Sequence, residues 1–262
     1  MQDPPAPGLS VVSLRGVGKT FATGTVALDG FDLDIRNGEF VSLLGPSGCG
    51  KSTALRIIAG LSEPTSGTVT WQAGKPPPHS IGFVFQEPTL MPWSTVFDNV
   101  FLPLRLAGQP RTAVSKRVME SLSQVGLADF ANAYPRELSG GMKMRVSIAR
   151  ALVTDPSLLL MDEPFAALDE ITRFKLNDDL LALWRALGKT VVFVTHSVFE
   201  SVFLSSRIVV MTGRPGRVSS ELAIDTPARD ARFRTSAEYA GHCRVASEAL
   251  HQAMHAHAGA AA

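Results

Sequence analysis

The sequence predicts an α/β fold in which a largely parallel sheet is interrupted by an inserted helical segment. Three observations lead there. The run Glu39-Phe40-Val41-Ser42-Leu43-Leu44 has the β-branched and apolar content of a strand buried on both faces. It feeds a glycine-rich turn and then a helical stretch, Thr53–Gly60, that stops at a glycine. Other apolar runs also end on polar residues: Ile81–Phe85 on Gln86, Leu158–Met161 on Asp162-Glu163, and Thr190–Thr195 on His196. From Pro88 to about Pro156 the pattern changes to amphipathic helices: Thr95–Ala107, Thr112–Val125 and Gly141–Val153.

Taken in order, residues 1–10 are expected as a flexible, proline-rich tail. Val11–Val17 and Leu28–Ile35 read as strands, the second setting Leu28, Phe31, Leu33 and Ile35 against polar neighbours. Between them lies Lys19-Thr20-Phe21, whose aromatic ring suits either an adenine stack or an ordinary core. Asn37-Gly38 marks the turn into the strand at Phe40. Glu63–Gly67 is a turn, Thr68–Trp71 a short strand, and Lys75–Pro78 a surface connection. The apolar set Leu90, Met91, Trp93, Phe97, Val100, Phe101 and Leu104 is expected mostly to form the core of the helical segment. Any exposed remainder would be a docking patch. Asp169–Leu187 is a helix capped by Asp169, and Arg207–Met211 and Val218–Ile224 are strands joined through Gly213–Arg217. Residues 228–262 read as a helical tail with a disordered, small-residue end.

Bulk properties narrow the functional class. At 262 residues with 45% hydrophobic and 19% charged content, the chain can bury a sizeable core. A formal net charge of +1 gives no footprint for wholesale nucleic-acid binding. Two cysteines, Cys49 and Cys243, provide no disulfide framework and suit a reducing compartment. No run approaches the roughly 18 apolar residues of a membrane span, and the N-terminus lacks the apolar segment of a signal peptide. His251 and His255 lie one helical turn apart, with His257 nearby, but an alanine-rich tail favours solvated histidines over a metal site.

The chemistry concentrates in a few stretches. Gly45, Pro46, Ser47, Gly48, Cys49, Gly50, Lys51, Ser52 and Thr53 fit Gly-x-x-x-x-Gly-Lys-Ser between a strand and a helix. In such a loop the backbone N–H groups and the helix N-terminus form a concave phosphate site. Lys51 would reach the β- and γ-phosphates, and the Ser52 hydroxyl would ligate Mg²⁺. A nucleoside triphosphate is the implied ligand. Asp162 would hold Mg²⁺ largely through water, and Glu163 can orient or deprotonate an attacking water, although carboxylates there could instead cap the next helix. Gln86 and His196 end neighbouring strands, where ligands of open α/β sheets sit; His196 could hydrogen-bond the γ-phosphate or be structural. Leu138-Ser139-Gly140-Gly141-Met142 is a second anion cradle, with a Ser N-cap and two glycines exposing N–H groups. A second cradle makes sense if two copies dock head to tail, each covering the nucleotide on the other's loop.

With that element in place, the chain resembles the ATP-binding subunits of ABC transporters over about residues 11–220. The resemblance implies a P-loop NTPase (RecA-like) core with an antiparallel β edge subdomain, an ATP-binding domain over 11–227, and a helical subdomain over about 88–156. It puts the family's Walker A motif on Gly45–Thr53, its Walker B motif on Leu158–Asp162 and its catalytic Glu on Glu163. The Q-loop falls on Gln86, also a metal ligand, the signature on Leu138–Met142, the D-loop on Ala167–Asp169, the switch His on His196 and the adenine stack on Phe21. Gln86–Trp93, Asp162–Asp169 and Thr212–Arg217 are similar to the branch that imports nitrate, sulfonates and taurine. Phe21 stands where that branch more often has Tyr, and Met144 where it usually has Gln, which removes a polar group expected near the interface. The resemblance further implies ATP and Mg²⁺, a homodimer, membrane permease subunits and an extracytoplasmic substrate-binding protein, at the cytoplasmic face of the inner membrane. A soluble cassette acting on nucleic acid or ribosomes would carry two cassettes, a long coiled coil or a basic excess, and none is present. An exporter subunit is disfavoured only by the Met91-Pro92-Trp93 loop.

Overall fold

Local chemistry sets the element boundaries in the computed structural model, which describes residues 10–72, 74, 80–226, 229–230 and 232–255. In chain order the elements are β1 (Ser10–Thr20), β2 (Val26–Arg36), β3 (Phe40–Leu44), α1 (Lys51–Ile58), β4 (Ser66–Trp71) and β5 (Ile81–Val84). There follow α2 (Val96–Leu106), α3 (Arg111–Gln124), α4 (Gly140–Leu152), β6 (Leu158–Asp162), α5 (Glu170–Leu187) and β7 (Thr190–Thr195). The chain closes with α6 (Val198–Leu204), β8 (Arg207–Met211), β9 (Val218–Ala223) and α7 (Ala237–His255). Residues 1–9, the expected end at 256–262 and the expected connection Lys75–Pro78 lie outside the described residues. The chain divides into two compact units, Met1–Pro76 with Thr190–Ala262, and Pro77–Lys189.

In the first unit, β2, β1 and β4 form an antiparallel sheet in that order. Period-2 alternation puts Val12 and Leu14 of β1 with Phe31, Leu33 and Ile35 of β2 in its buried layer, and an irregularity between Leu14 and Val17 returns Val17 to it. β3 pairs in parallel with both β7 and β8, and β9 joins β8 antiparallel. Every residue of β3, β7 and β8 is buried, as expected of parallel strands covered on both faces, whereas β9 alternates. Arg207, at the start of β8, is buried because its guanidinium is fully engaged: Glu39 Oε1 at 2.6 Å, Glu221 Oε2 at 2.8 Å and the Asp34 carbonyl at 2.5 Å. Burial opposes its charge, but the Glu39 and Glu221 carboxylates outweigh that and raise its pKa. Helix α7 packs on α6 and β8, so the tail lies along the core of its own unit. The Tyr239 hydroxyl donates to the Phe199 carbonyl at 2.9 Å, and Arg229 donates to the carbonyls of Ile224 and Phe203.

In the second unit β5 and β6 pair in parallel, and α2, α3 and α4 pack on one another. Thr95 caps α2, accepting from Asp98 N–H at 3.1 Å. Val100 and Leu104 of the apolar set are fully buried, with Phe97 and Phe101 close behind, each worth about 1.5–3 kcal/mol of burial. Of the remainder, Leu90 and Met91 are half-buried and Trp93 shows 76% of its surface. Asn99 pins the segment that carries Trp93 on both sides. Its buried amide accepts from Met91 N–H at 2.7 Å and donates to the carbonyls of Met91, Ser94 and Thr95. Asn99→Ala should therefore destabilise the chain by about 2 kcal/mol, since Met91 N–H and the Ser94 carbonyl lose this partner together. Chemical denaturation reads this directly, and an unchanged midpoint would show that the loop is held by other contacts.

Candidate nucleotide site

In the first unit the phosphate loop leaves β3 at Gly45 and enters α1 at Lys51. Its glycines have separate reasons. Gly48 and Gly50 take φ of 75° and 109°, conformations open chiefly to glycine. Gly50 also has no room for a side chain, because a Cβ would stand 2.6 Å from the Ala27 carbonyl. Lys51, only 4% exposed, donates to the carbonyls of Gly45 and Pro46 at 2.8 and 2.9 Å, which keeps its ammonium at the loop. Cys49 is buried in the loop base, while Ser47 and Gly48 are exposed at its tip. The register β3–β7 ends at Leu44 opposite Thr195, so Gly45 and His196 leave adjacent strands side by side, with His196 exposed. Phe21 lies just past β1, half-exposed, on the turn into β2. That strand brings Ala27 and Leu28 against Gly50.

In the second unit β6 is buried throughout and ends on Asp162. The β5–β6 register ends at Val84 opposite Met161, so Gln86 and Glu163 leave the pair level with each other. Glu163 takes φ of 44°, a left-handed conformation costing a non-glycine residue about 1–2 kcal/mol, and this turns the chain sharply at the strand end. Asp162 is buried and Gln86 exposed. Asp169 caps α5, its Oδ1 accepting from Thr172 N–H at 2.9 Å. The Thr172 backbone and hydroxyl hold that carboxyl below its usual range. Ser139 caps α4, accepting from Met142 N–H, and Ser139 and Gly140 present an exposed helix N-terminus. Gly141 is buried against α5, where a Cβ would come within 2.7 Å of the Thr172 methyl. Met144 is 2% exposed. It fills the interior behind the cradle, so the apolar residue lies inside the unit and not on the exposed face.

Sequence reading did not foresee two contacts that shape these stretches. Arg150 donates to the carbonyls of Pro88 and Thr89 at 2.7 and 2.9 Å, tying α4 to the segment after Gln86. Beside it lies a groove of about 360 Å³ lined by Phe83, Phe85, Leu102, Pro103 and Leu106, the last 74% exposed. The second contact is made by Arg214, in the Thr212–Arg217 stretch already noted, whose guanidinium reaches the carbonyl of Gly48. Both are contacts between residues more than 60 positions apart, with no local signal in the sequence.

These arrangements match known proteins. The ABC transporter family model matches residues 28–166, a span that includes the phosphate loop, Gln86, the Ser139–Gly141 cradle and Asp162-Glu163. The chain belongs to the ABC transporter family. It is 50% identical over 215 residues to an uncharacterized ABC transporter ATP-binding protein of Methanocaldococcus jannaschii, covering 81% of this chain and 80% of that one. It is 48% identical over 201 residues to the taurine import ATP-binding protein TauB of Rhizobium johnstonii, covering 76% and 77%. To the aliphatic sulfonates import ATP-binding protein SsuB 1 of Pseudomonas syringae pv. syringae it is 44% identical over 250 residues, covering 95% and 98%. A solved dimeric ATP-binding cassette in a post-hydrolysis state with ADP and Pi is similar at 38% identity and TM-score 0.71, over 82% of this chain and 99% of that one. The fold is accordingly the α/β P-loop NTPase fold expected from the sequence, and the chain is an ATP-binding ATPase subunit of a transporter.

Proposed function

We propose that this cassette hydrolyses ATP in a head-to-tail homodimer to drive import of a small anion of the sulfonate, taurine or nitrate type. The observation that carries the reading is the second cradle: Ser139 and Gly140 stand exposed at a capped helix N-terminus, suited to a nucleotide held by another copy's phosphate loop. The import direction and substrate class rest on relatives named for taurine and aliphatic sulfonate import.

In the mechanism, loop N–H groups, Lys51 and Ser52 hold the triphosphate, and Phe21 stacks on the adenine. Glu163 takes the proton of a water whose oxygen attacks the γ-phosphorus; the bond to the bridging oxygen breaks, leaving ADP and phosphate. His196 donates to a γ-phosphate oxygen, and Asp169 and Gln86 line the closing interface. Ser52, Asp162 and Gln86 offer only hard oxygen donors, a set that fits Mg²⁺, and among the described residues no cluster of three or more His, Cys, Asp or Glu competes for a metal. Bound there, Mg²⁺ would neutralise charge on the phosphate oxygens.

ATP favours the closed dimer because it contacts both cradles at once, and ADP cannot. Opening and closing would reach a membrane permease through the Gln86–Trp93 segment and the groove beside Leu106. Among the described residues no helix is long and apolar enough to cross a membrane, which fits a peripheral subunit at the cytoplasmic face of the inner membrane. An extracytoplasmic substrate-binding protein would complete the importer. Uptake assays should lose transport of one of taurine, alkanesulfonates or nitrate in a strain lacking this chain, with recovery on re-expression. Unchanged uptake of all three would remove the substrate assignment.

A further inference from the structure

Six residues between β8 and β9, Thr212 to Arg217, are placed against the phosphate loop. Arg214 donates from Nε at 3.1 Å and from Nη2 at 3.0 Å to the same acceptor, the carbonyl of Gly48. Gly216 lies so close beneath the loop that a Cβ would stand 2.1 Å from the Cys49 carbonyl. The turn is itself anchored. Gly216 N–H donates to the Ala27 carbonyl at 2.9 Å, Asp29 N–H donates to the Gly216 carbonyl at 3.2 Å, and Arg217 is ion-paired with Asp29. Within the turn the Thr212 hydroxyl donates to the Pro215 carbonyl and accepts from Arg217 N–H. Ala27 and Leu28, the strand residues behind this anchor, also abut Gly50. The loop is thus gripped from β2 and from the β8–β9 turn together.

We infer that Arg214 is a positioning residue that presets the phosphate loop for nucleotide; this rests on the loop being the ATP site. The argument is geometric. In a trans peptide the carbonyl of Gly48 points opposite to the N–H of Cys49 across one rigid plane. Fixing the Gly48 oxygen outward on Arg214 therefore fixes the Cys49 N–H inward. Within the loop that N–H reaches the Pro46 carbonyl at 3.4 Å. The tip needs such a grip, because Gly48 and Gly50 have more conformational freedom to lose than any other residue type. Ordering the tip through protein contacts lowers what nucleotide binding must supply.

The test is to titrate ATP and ADP into the purified full-length wild type, Arg214→Ala and Arg214→Lys, and to measure steady-state hydrolysis. Arg214→Ala should weaken both nucleotides about fivefold to tenfold and raise KM alike, with kcat within about twofold of wild type. Arg214→Lys, which can still offer one donor, should recover most of the loss. Unchanged affinity in the Ala variant, a loss confined to ATP, or a Lys variant as weak as Ala would each overturn the role; the second would indicate direct contact with the γ-phosphate. Gly216→Ala keeps Arg214 but intrudes on Cys49, and should weaken both nucleotides in the same direction; wild-type affinity there would also count against the brace. Lys51→Ala separates the two claims: if wild type binds ATP and this variant does not, the site stands whatever Arg214 does.

Discussion

Glu163→Gln should bind ATP with near wild-type affinity while its turnover falls about 10²–10⁴-fold, the range expected when a general base is removed. The variant keeps the size and the hydrogen-bonding reach of the side chain, so the left-handed turn at the end of β6 should survive. What it loses is a group able to take a proton from water. With hydrolysis stopped and both cradles still engaged by ATP, the closed dimer should accumulate, visible as an ATP-dependent doubling of mass in light scattering. ADP should produce no such shift. Retained hydrolysis would move the base elsewhere, and loss of ATP binding would show that Glu163 shapes the site and does not act in the chemical step.

Lys51→Ala should lower nucleotide affinity by roughly 10²-fold, the loss of about 3 kcal/mol expected for charge-assisted hydrogen bonds to phosphate. In the structure the ammonium donates to the carbonyls of Gly45 and Pro46, so the substitution also takes a donor from two acceptors at the loop. The consequence is separable. Circular dichroism and thermal melting should change little, because the interior of the unit rests on the apolar strands β3, β7 and β8, while calorimetric titration with ATP should become almost silent. Wild-type affinity in this variant would remove the loop from the site.

The difference between local and distant interactions explains how far the residues alone could be read. Caps were legible because they act within three residues: Ser139 and Asp169 each accept from an N–H three positions on. Strands β3, β6 and β7 were legible because burial on both faces demands unbroken apolar runs. Helix α6 was not. Its seven residues, Val198–Leu204, are too few to display a helical period, and their β-branched and aromatic content suggests a strand as readily. The burial of Met144 was not legible for a related reason. One position on an amphipathic helix can face the interior or the interface, and only packing shows that it is 2% exposed.

By itself, then, the sequence determined the phosphate loop, the second cradle, the strand-end carboxylates and the family, since each is written in residue types at fixed short spacings. Only the tertiary structure decided that Asn99 pins the segment carrying Trp93, that α7 lies on α6 and β8, and that Arg214 grips Gly48 across 166 positions of chain. Those contacts leave no periodic trace, because a hydrogen bond between distant residues depends on where the whole chain has placed them.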